Sequence, residues 1–336
     1  MTGVSGGTGG NRRTGRQTRR ALYGAALVTA LTAVCAGCIS GTSRGPPSGP
    51  NPAGQHAAVI TVGSFDFPES MVLAEIYGDT LRAEGFPVRI LPNLGSRELV
   101  DPALMRGLIQ VVPEYAGSAL QFISLGRLSA TADVMATNKA LAELTAGQGV
   151  VAGLPATAQN ANVIVVRPAT ASRYHLRSIA DLAHVAPRLV LGGPPECPGR
   201  AYCLPGLRQR YELRFKSFIP LDAGGPLTLQ ALEAGNIDVA LLFSTDPSIS
   251  ARHLVVLADD RRLQPAENIT PLVSRDAVAR YGAGLMAVLN TVSARLDSPS
   301  LRALNAQVED TGRTPRQVAE RWLHTQGLLG KERADR

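Results

Sequence analysis

The chain has 336 residues, 45% of them hydrophobic, and a formal net charge of +7 at neutral pH. Five arginines and no acidic residue precede Cys38, so removing that stretch leaves a net charge of about +2. The positive charge therefore belongs mainly to the N-terminus, and no basic stripe with interleaved aromatic residues follows it. This distribution argues against a nucleic-acid-binding protein.

The N-terminus has the order of an export signal, because its basic stretch is followed by the apolar run ALYGAALVTALTAVCAGC. The run is too short and too weakly flanked to predict a membrane-spanning helix. Its last four residues, CAGC, resemble a bacterial lipobox in which Cys35 replaces the usual leucine. We predict a signal peptide over residues 1–37 and a lipid attached to Cys38. The alternative is an ordinary cleaved signal with an incidental cysteine, and paired arginines leave twin-arginine export as an alternative to the Sec route.

Residues 38–56 are rich in Gly, Pro and Ser and have no apolar period, which predicts a flexible tether. The remaining chain is long enough for two lobes with separate cores. No second apolar run is long enough to span a membrane. We therefore expect a folded body on the extracytoplasmic face of the cell membrane, anchored through Cys38.

Short apolar runs alternate with amphipathic stretches along the body, which predicts an α/β protein with mostly parallel sheets. The predicted strands are AVITVGS, VRILPNL, IQVVPEY, NVIVVR, RLVLGG, IDVALLF and HLVVLAD, and the predicted helices include ESMVLAEIYGDTLRAEG, SRELVDPALMRG and LTLQALEAG. The C-terminal part is predicted to be helical. Its stretch TPRQVAERWLHTQG begins with Thr314 as N-cap, Pro315 in the first turn and Gln317 three residues after the cap.

Motifs of catalysis and of cofactor or metal binding are absent from the sequence. None of the five histidines has a partner at i+4, and no nucleophile elbow or phosphate loop is present. We therefore expect no enzyme activity, no cofactor and no metal.

Cys197 and Cys203 enclose five residues, among them Pro198 and Gly199, which turn the chain. Outside the membrane, thiols tend to be oxidised. A redox pair is usually Cys-x-x-Cys, and a zinc site needs more ligands. These considerations favour a structural disulfide over those two alternatives, and such a bond restrains the loop that carries Arg200 and Tyr202.

Four segments, in order, resemble the substrate-binding proteins of osmoprotectant ABC importers, the glycine betaine, choline, carnitine and proline type. They are ITVGSFDFPESMVLAEIYGDTLRAEGF, VVPEYAGSAL, PPECPGRAYCLPGL and LTLQALEAGNIDVALLFSTD. The resemblance covers residues from about 60 to 328. It implies a two-lobed periplasmic-binding-protein fold with a hinge and a central ligand cleft. We place the first lobe at 57–160 plus 246–336 and the second at 161–245, with crossings near Ala161 and Ser244.

The resemblance also implies roles for particular residues. Tyr115 matches a tyrosine of the aromatic cage that holds a quaternary ammonium group, which lacks N–H donors and prefers aromatic faces. Ser118 matches a hydroxyl residue at a helix start, and Arg200 matches the arginine that holds the ligand carboxylate. Asp66 and Glu69, near the first helix, either line the cleft or favour the helix N-terminus.

Four positions depart from the family pattern. Asn162 and Leu229 stand where the family has cage tyrosines, Phe243 replaces the tyrosine of its Y-S-T-D run, and Phe65 replaces the lysine of its first motif. Phe65 and Phe243 are predicted aromatic walls of the site, with core packing as the alternative for each. The loss of two cage faces predicts a wider and more apolar site.

The resemblance implies a monomeric, lipid-anchored solute-binding component of an ABC importer that delivers a quaternary-ammonium osmoprotectant to permease subunits. The first alternative is the same fold with specificity for a larger aromatic or sugar-linked solute. An extracytoplasmic enzyme is a second alternative, and a surface adhesin or sensor with a non-binding cleft is a third.

Overall fold

A computed structural model describes residues 59–329, apart from the side chain of residue 310. The predicted signal peptide, the tether and Cys38 lie outside the described residues. The strands are β1 (Ile60–Gly63), β2 (Val88–Leu91), β3 (Val111–Tyr115), β4 (Val150–Ala152), β5 (Asn162–Val166), β6 (Val190–Gly193), β7 (Ser217–Pro220), β8 (Val239–Phe243), β9 (Val255–Leu257) and β10 (Ile269–Ser274). The helices are α1 (Pro68–Ala83), α2 (Arg97–Met105), α3 (Ala116–Ile123), α4 (Val134–Ala146), α5 (Pro168–Tyr174), α6 (Leu204–Tyr211), α7 (Pro226–Ala234), α8 (Ser248–Ala251), α9 (Arg275–Ser293), α10 (Ser298–Thr311) and α11 (Pro315–Gln326).

The strands form two five-stranded sheets with the same arrangement. The first has the order β2-β1-β3-β10-β4 and the second the order β7-β6-β8-β5-β9. β1 is parallel to β2 and β3, whereas β10 is antiparallel to β3 and β4. β6 is parallel to β7 and β8, whereas β5 is antiparallel to β8 and β9. The sheets are therefore mixed rather than mostly parallel, because β5 and β10 each begin where the chain arrives from the other lobe.

Each lobe has its own apolar core. One continuous cluster joins the first sheet to α1, α3, α9 and α11. In the second lobe the alternation of β5 divides the core, since Ile164 and Val166 belong to the cluster on one face of the sheet and Val165 to the cluster on the other. Two-sided burial explains why this strand reads as the uninterrupted apolar run VIVV.

The C-terminal helices complete the first lobe. α11 packs against α1, and its predicted N-terminus is confirmed: Thr314 accepts from Gln317 N, and Gln317 Oε1 accepts from Thr314 N. This reciprocal pairing satisfies two backbone donors that a helix start would otherwise leave open. The sequence motif therefore determined the first turn of this helix.

Two crossing segments connect the lobes, and they pair with each other. Gln159 on the first lies opposite Asn268 on the second in an antiparallel bridge. The second crossing therefore lies later than the predicted position near Ser244. The intervening residues 246–257 carry α8 and β9, and β9 pairs with β5 of the second sheet. The chain returns to the first sheet only at β10.

No helix among residues 59–329 is both long and apolar enough to span a membrane. Within the same residues, no three His, Cys, Asp or Glu side chains are grouped closely enough to hold a metal ion.

Candidate functional site

A cavity between the two lobes brings together most of the predicted site residues. We call it the first cavity. It is lined by Phe65, Asp66, Phe67, Ser96, Arg97, Ser118, Gln121, Asn162, Pro194, Glu196, Cys197, Arg200, Ala201, Tyr202, Cys203, Ala223, Leu241 and Phe243. The strand ends explain this convergence, because β1, β3, β6 and β8 all run toward the cleft and are followed there by loops or helices.

Aromatic rings form one wall of the first cavity. The Phe67 ring centre lies 6.0 Å from that of Phe65, 5.9 Å from that of Tyr115 and 5.3 Å from that of Phe243. Phe243 ends β8 in the second lobe, whereas the other three rings belong to the first lobe. The pair Phe67–Phe243 therefore connects the lobes through an apolar contact at the cavity.

Tyr115 lies behind this wall and does not line the cavity. Its side chain is buried, and its hydroxyl donates to Glu69 Oε1 at 2.8 Å. Phe65 and Phe67 cover its ring, with the Phe65 centre 6.4 Å away. Burial and the adjacent Glu69 carboxylate raise the pKa of Tyr115 well above its ordinary value. The predicted cage tyrosine thus supports the aromatic wall in this arrangement.

The carboxylate of Glu69 is the centre of a hydrogen-bond cluster. Glu69 Oε1 also accepts from Asn160 Nδ2 at 2.8 Å, and Oε2 accepts from Thr245 Oγ1 at 2.5 Å and Asn305 Nδ2 at 2.7 Å. With Tyr115, these donors come from β3, the first crossing, the segment after β8, and α10. None of the four donors is basic. Neutral hydrogen bonds therefore satisfy a buried carboxylate, which would otherwise be costly to bury.

Arg200 reaches across the cleft from the second lobe. Its Nη2 donates to Glu98 Oε2 at 2.8 Å, and its guanidinium carbon lies 5.4 Å from the centre of the Phe122 ring. Burial, followed by the neighbouring Arg97, lowers the pKa of Arg200. Cys197 and Cys203 form a disulfide on either side of this residue. The bond closes the loop that presents Arg200 to the cavity.

Arg97 is a second arginine at the cavity. Its Nε and Nη2 donate to the two oxygens of Glu114, at 2.6 and 2.9 Å, in a buried bidentate pair. The guanidinium carbon lies 5.0 Å from the centre of the Phe65 ring. Burial and the nearby Glu114 carboxylate raise the pKa of Asp101, which lies 4.0 Å from Arg97 Nε. Arg97 is thus held in place chiefly by Glu114, leaving Arg200 as the more adaptable cation of the site.

The N-terminus of α3 binds a carboxylate of the protein itself. Glu267, on the second crossing, accepts from Ser118 N at 3.0 Å and from Ser118 Oγ at 2.6 Å. Its side chain is 2% exposed, and burial raises its pKa to about 7. Ser118 lines the cavity, but its hydroxyl already donates to Glu267.

The remaining predicted residues fall on two sides of the aromatic wall. Phe65, Asp66 and Asn162 line the first cavity, and Asn162 Nδ2 donates to Gln264 Oε1 at 3.2 Å. Leu229 lines a different cavity on the far side of Phe67 and Phe243. The structure therefore groups seven of the eight predicted ligand residues around the wall but separates Leu229 from Arg200.

Sequence reasoning missed four residues that shape the site: Phe67, Arg97, Tyr202 and Glu267. Phe67 and Arg97 follow the predicted strands β1 and β2 in sequence, so their position after a strand end was the available signal. The sequence placed Tyr202 on the disulfide loop but indicated no role for it at the site. Its hydroxyl accepts from Ala130 N at 3.2 Å across the cleft. Nothing near Glu267 in the sequence indicates its contact with Ser118, 149 residues away.

Two lobes of matching topology, paired crossings and a cleft with aromatic rings and arginines define a bilobal solute-binding protein. A profile for the substrate-binding domain of ABC-type glycine betaine transport systems matches residues 58–325. The chain belongs to this family. It is the substrate-binding component of an ABC importer and not an enzyme.

Relatives agree with this assignment. A glycine-betaine-binding protein of Pseudomonas aeruginosa is 28% identical over 284 residues, spanning 81% of this chain and 89% of the relative. The glycine betaine-binding protein YehZ of Escherichia coli is 27% identical over 282 residues, which span 81% of this chain and 92% of the relative. The crystal structure of a glycine betaine/carnitine/choline ABC transporter shares the fold, with a TM-score of 0.63 and 22% identity. The match covers 80% of this chain and 99% of that structure's chain.

We predict that Glu69→Gln lowers the free energy of unfolding by about 3 kcal/mol, because an amide places N–H donors opposite side chains that already donate. Tyr115→Phe removes one donor and leaves the ring in place, so we expect a loss of about 1 kcal/mol. Denaturant unfolding measures both values. Equal losses for the two variants would show that the carboxylate is not the centre of the cluster.

Glu267 predicts a pH dependence of stability. Its pKa of about 7 in the folded chain exceeds the ordinary value of 4.5. The contribution of Glu267 to the free energy of unfolding is therefore fully present below pH 4.5 and is lost as the pH rises through about 7. Between pH 5 and pH 7 this contribution to the free energy of unfolding falls by about 2 kcal/mol.

Thermal unfolding of the wild type and of Glu267→Gln across this pH range tests the prediction. The variant should lack this part of the pH dependence. Parallel pH profiles for the two proteins would contradict it.

Proposed function

We propose that the first cavity binds a quaternary-ammonium osmoprotectant of the glycine betaine, choline, carnitine or proline betaine type, which the protein delivers to its permease. One observation carries the proposal: aromatic rings and Arg200 line the same cavity between the lobes. A trimethylammonium group has no N–H to donate, and it is attracted to aromatic faces by about 2 kcal/mol when desolvated. A carboxylate on the same molecule pairs with a guanidinium.

Phe67 and Phe243 are the rings proposed to receive the ammonium group. They contact each other across the cleft, so a cation between the lobes would meet one ring from each. Ligand-induced closure of two lobes is the usual way in which such proteins signal occupancy. Tyr202, which also lines the cavity, supplies further aromatic surface, whereas Phe65 is only 2% exposed and packs behind Phe67.

Arg200 is proposed to bind the carboxylate of the solute. Its present partner, Glu98, is 45% exposed, so exchanging that partner for a ligand carboxylate leaves Glu98 in contact with water. Arg97 instead donates two hydrogen bonds to a fully buried glutamate, which would lose its partner if Arg97 turned toward the ligand.

A larger solute is the second candidate function. Asn162 and Leu229 stand where the family resemblance implies tyrosines, and a further cavity lies beyond Phe67 and Phe243. Both observations favour a site that accepts more than a small betaine.

Choline lacks the carboxylate of glycine betaine, which allows the two halves of the proposal to be tested separately by calorimetric titration. Arg200→Gln should weaken glycine betaine binding at least tenfold and leave choline binding nearly unchanged. Phe67→Leu and Phe243→Leu should each weaken both ligands, by about 30-fold for a lost cation–π contact of about 2 kcal/mol.

Two matched controls accompany these variants. Glu98→Gln breaks the same ion pair but keeps the guanidinium, so glycine betaine should still bind. Phe86→Leu removes a ring that packs on Tyr281 away from the cleft, and both ligands should bind normally. The proposal would be refuted if Arg200→Gln weakened the binding of both ligands equally. It would also be refuted if neither ligand bound to the wild type.

We also propose that the mature chain is a monomer tethered to the outer face of the cell membrane by a diacylglyceryl group on Cys38. The support for the lipid tether is the sequence pattern of residues 1–38. A metabolically incorporated fatty-acid probe should label the wild type and Cys35→Ala but not Cys38→Ala. Labelling of Cys38→Ala would refute lipid attachment at Cys38.

A further inference from the structure

The cavity beyond the aromatic wall, which we call the second cavity, shares Phe67, Ala223 and Phe243 with the first. Its other lining residues are Pro68, Glu69, Asn160, Gly224, Gly225, Pro226, Leu229, Gln230, Thr245, Asp246, Arg252, Asn305 and Glu309. Because three residues belong to both cavities, the side chains of Phe67 and Phe243 are the partition between them. The two ring centres lie 5.3 Å apart, so a solute longer than glycine betaine would reach from one cavity to the other only by separating these rings.

Two buried acceptors at the second cavity lack hydrogen-bond partners among the described residues. Asp246 is 8% exposed, and its Oδ2 has no partner, although its Oδ1 accepts from Ser248 N at 2.9 Å. Asn305 is 7% exposed, and its Oδ1 is likewise unpartnered. Leaving buried acceptors unpaired is costly, so a donor supplied by a ligand would recover that free energy.

The charges around the second cavity favour a cation. Glu69 presents a buried carboxylate whose four hydrogen-bond donors are all neutral. Arg252 is the basic residue of the lining, and its guanidinium pairs with Glu233. No described basic side chain is hydrogen-bonded to Glu69 or Asp246, although the charge of Arg252 partly offsets the burial that raises the pKa of Asp246.

We propose that the second cavity binds the protonated amine of a solute whose trimethylammonium and carboxylate groups occupy the first cavity. The ligand class is an Nα-trimethylated amino acid with a side chain ending in an ammonium group. Three observations support this: the shared partition, the unpaired oxygens of Asp246 and Asn305, and the lack of a bonded cation. The inference rests on the proposed function, because the first cavity must hold the betaine part of the solute.

Three probes test the inference by calorimetric titration on the purified protein. They are glycine betaine, Nα-trimethyl-lysine, and the Nα-trimethyl derivative of 2-aminoheptanoic acid, which has the length of the lysine compound without its ammonium. The lysine compound should bind at least tenfold more tightly than its apolar match, as expected for a charge-assisted hydrogen bond.

Two variants show whether the second cavity is responsible. Asp246→Asn should reduce the preference for the lysine compound to threefold or less while glycine betaine binds as before. Gln230→Lys places a competing ammonium on an exposed position of the same lining and should have the same effect. The second variant keeps the test decisive if Asp246→Asn fails to fold.

The outcomes separate this inference from the proposed function. If glycine betaine binds but the lysine compound binds no more tightly than its apolar match, the second subsite is refuted and the proposed function stands. A preference that persists in both Asp246→Asn and Gln230→Lys also refutes it. If no trimethylammonium compound binds, both proposals fall.

Discussion

The arrangement of the lobes depends on one buried carboxylate. Glu69 lies in the first turn of α1 in the first lobe, yet its hydrogen bonds reach β3, the first crossing, the segment after β8 and α10. A carboxylate in the interior is stable only when its oxygens are satisfied, so the four donors and the segments that carry them are restrained together. The same residue lies behind the aromatic wall and lines the second cavity. The hinge region, the wall and the cavity therefore share one electrostatic constraint.

The cleft divides its charges between fixed and exchangeable pairs. Arg97 and Glu114 form a buried bidentate pair, and breaking it would leave a carboxylate without a partner. Arg200 meets a half-exposed glutamate from the opposite lobe, so its contact can be replaced by a ligand at little cost. Glu267 occupies the N-terminus of α3, a position that favours anions. These differences are the reason for proposing Arg200 as the cation that binds a solute carboxylate.

Local patterns predicted much of the fold and part of the site. The strands and helices around the cleft, the cap of α11 and the disulfide follow from short-range signals in the chain. Family motifs drew attention to Phe65, Ser118, Asn162, Arg200 and Phe243, which line the first cavity. The second crossing was placed too early because β9 is a short strand whose membership in the second sheet depends on pairing with β5, far away in sequence.

The sequence by itself determined the α/β fold class through its strand and helix periodicities, and the class of protein through the resemblance of four ordered motifs to a known family; both are local features of the chain. Only the tertiary structure decided that Tyr115 supports the wall from behind, that Glu267 caps α3 and that Leu229 belongs to a second cavity. Each of these depends on contacts between segments far apart in the chain. Their geometry is set by how two sheets and two crossings pack, and no local pattern specifies that packing.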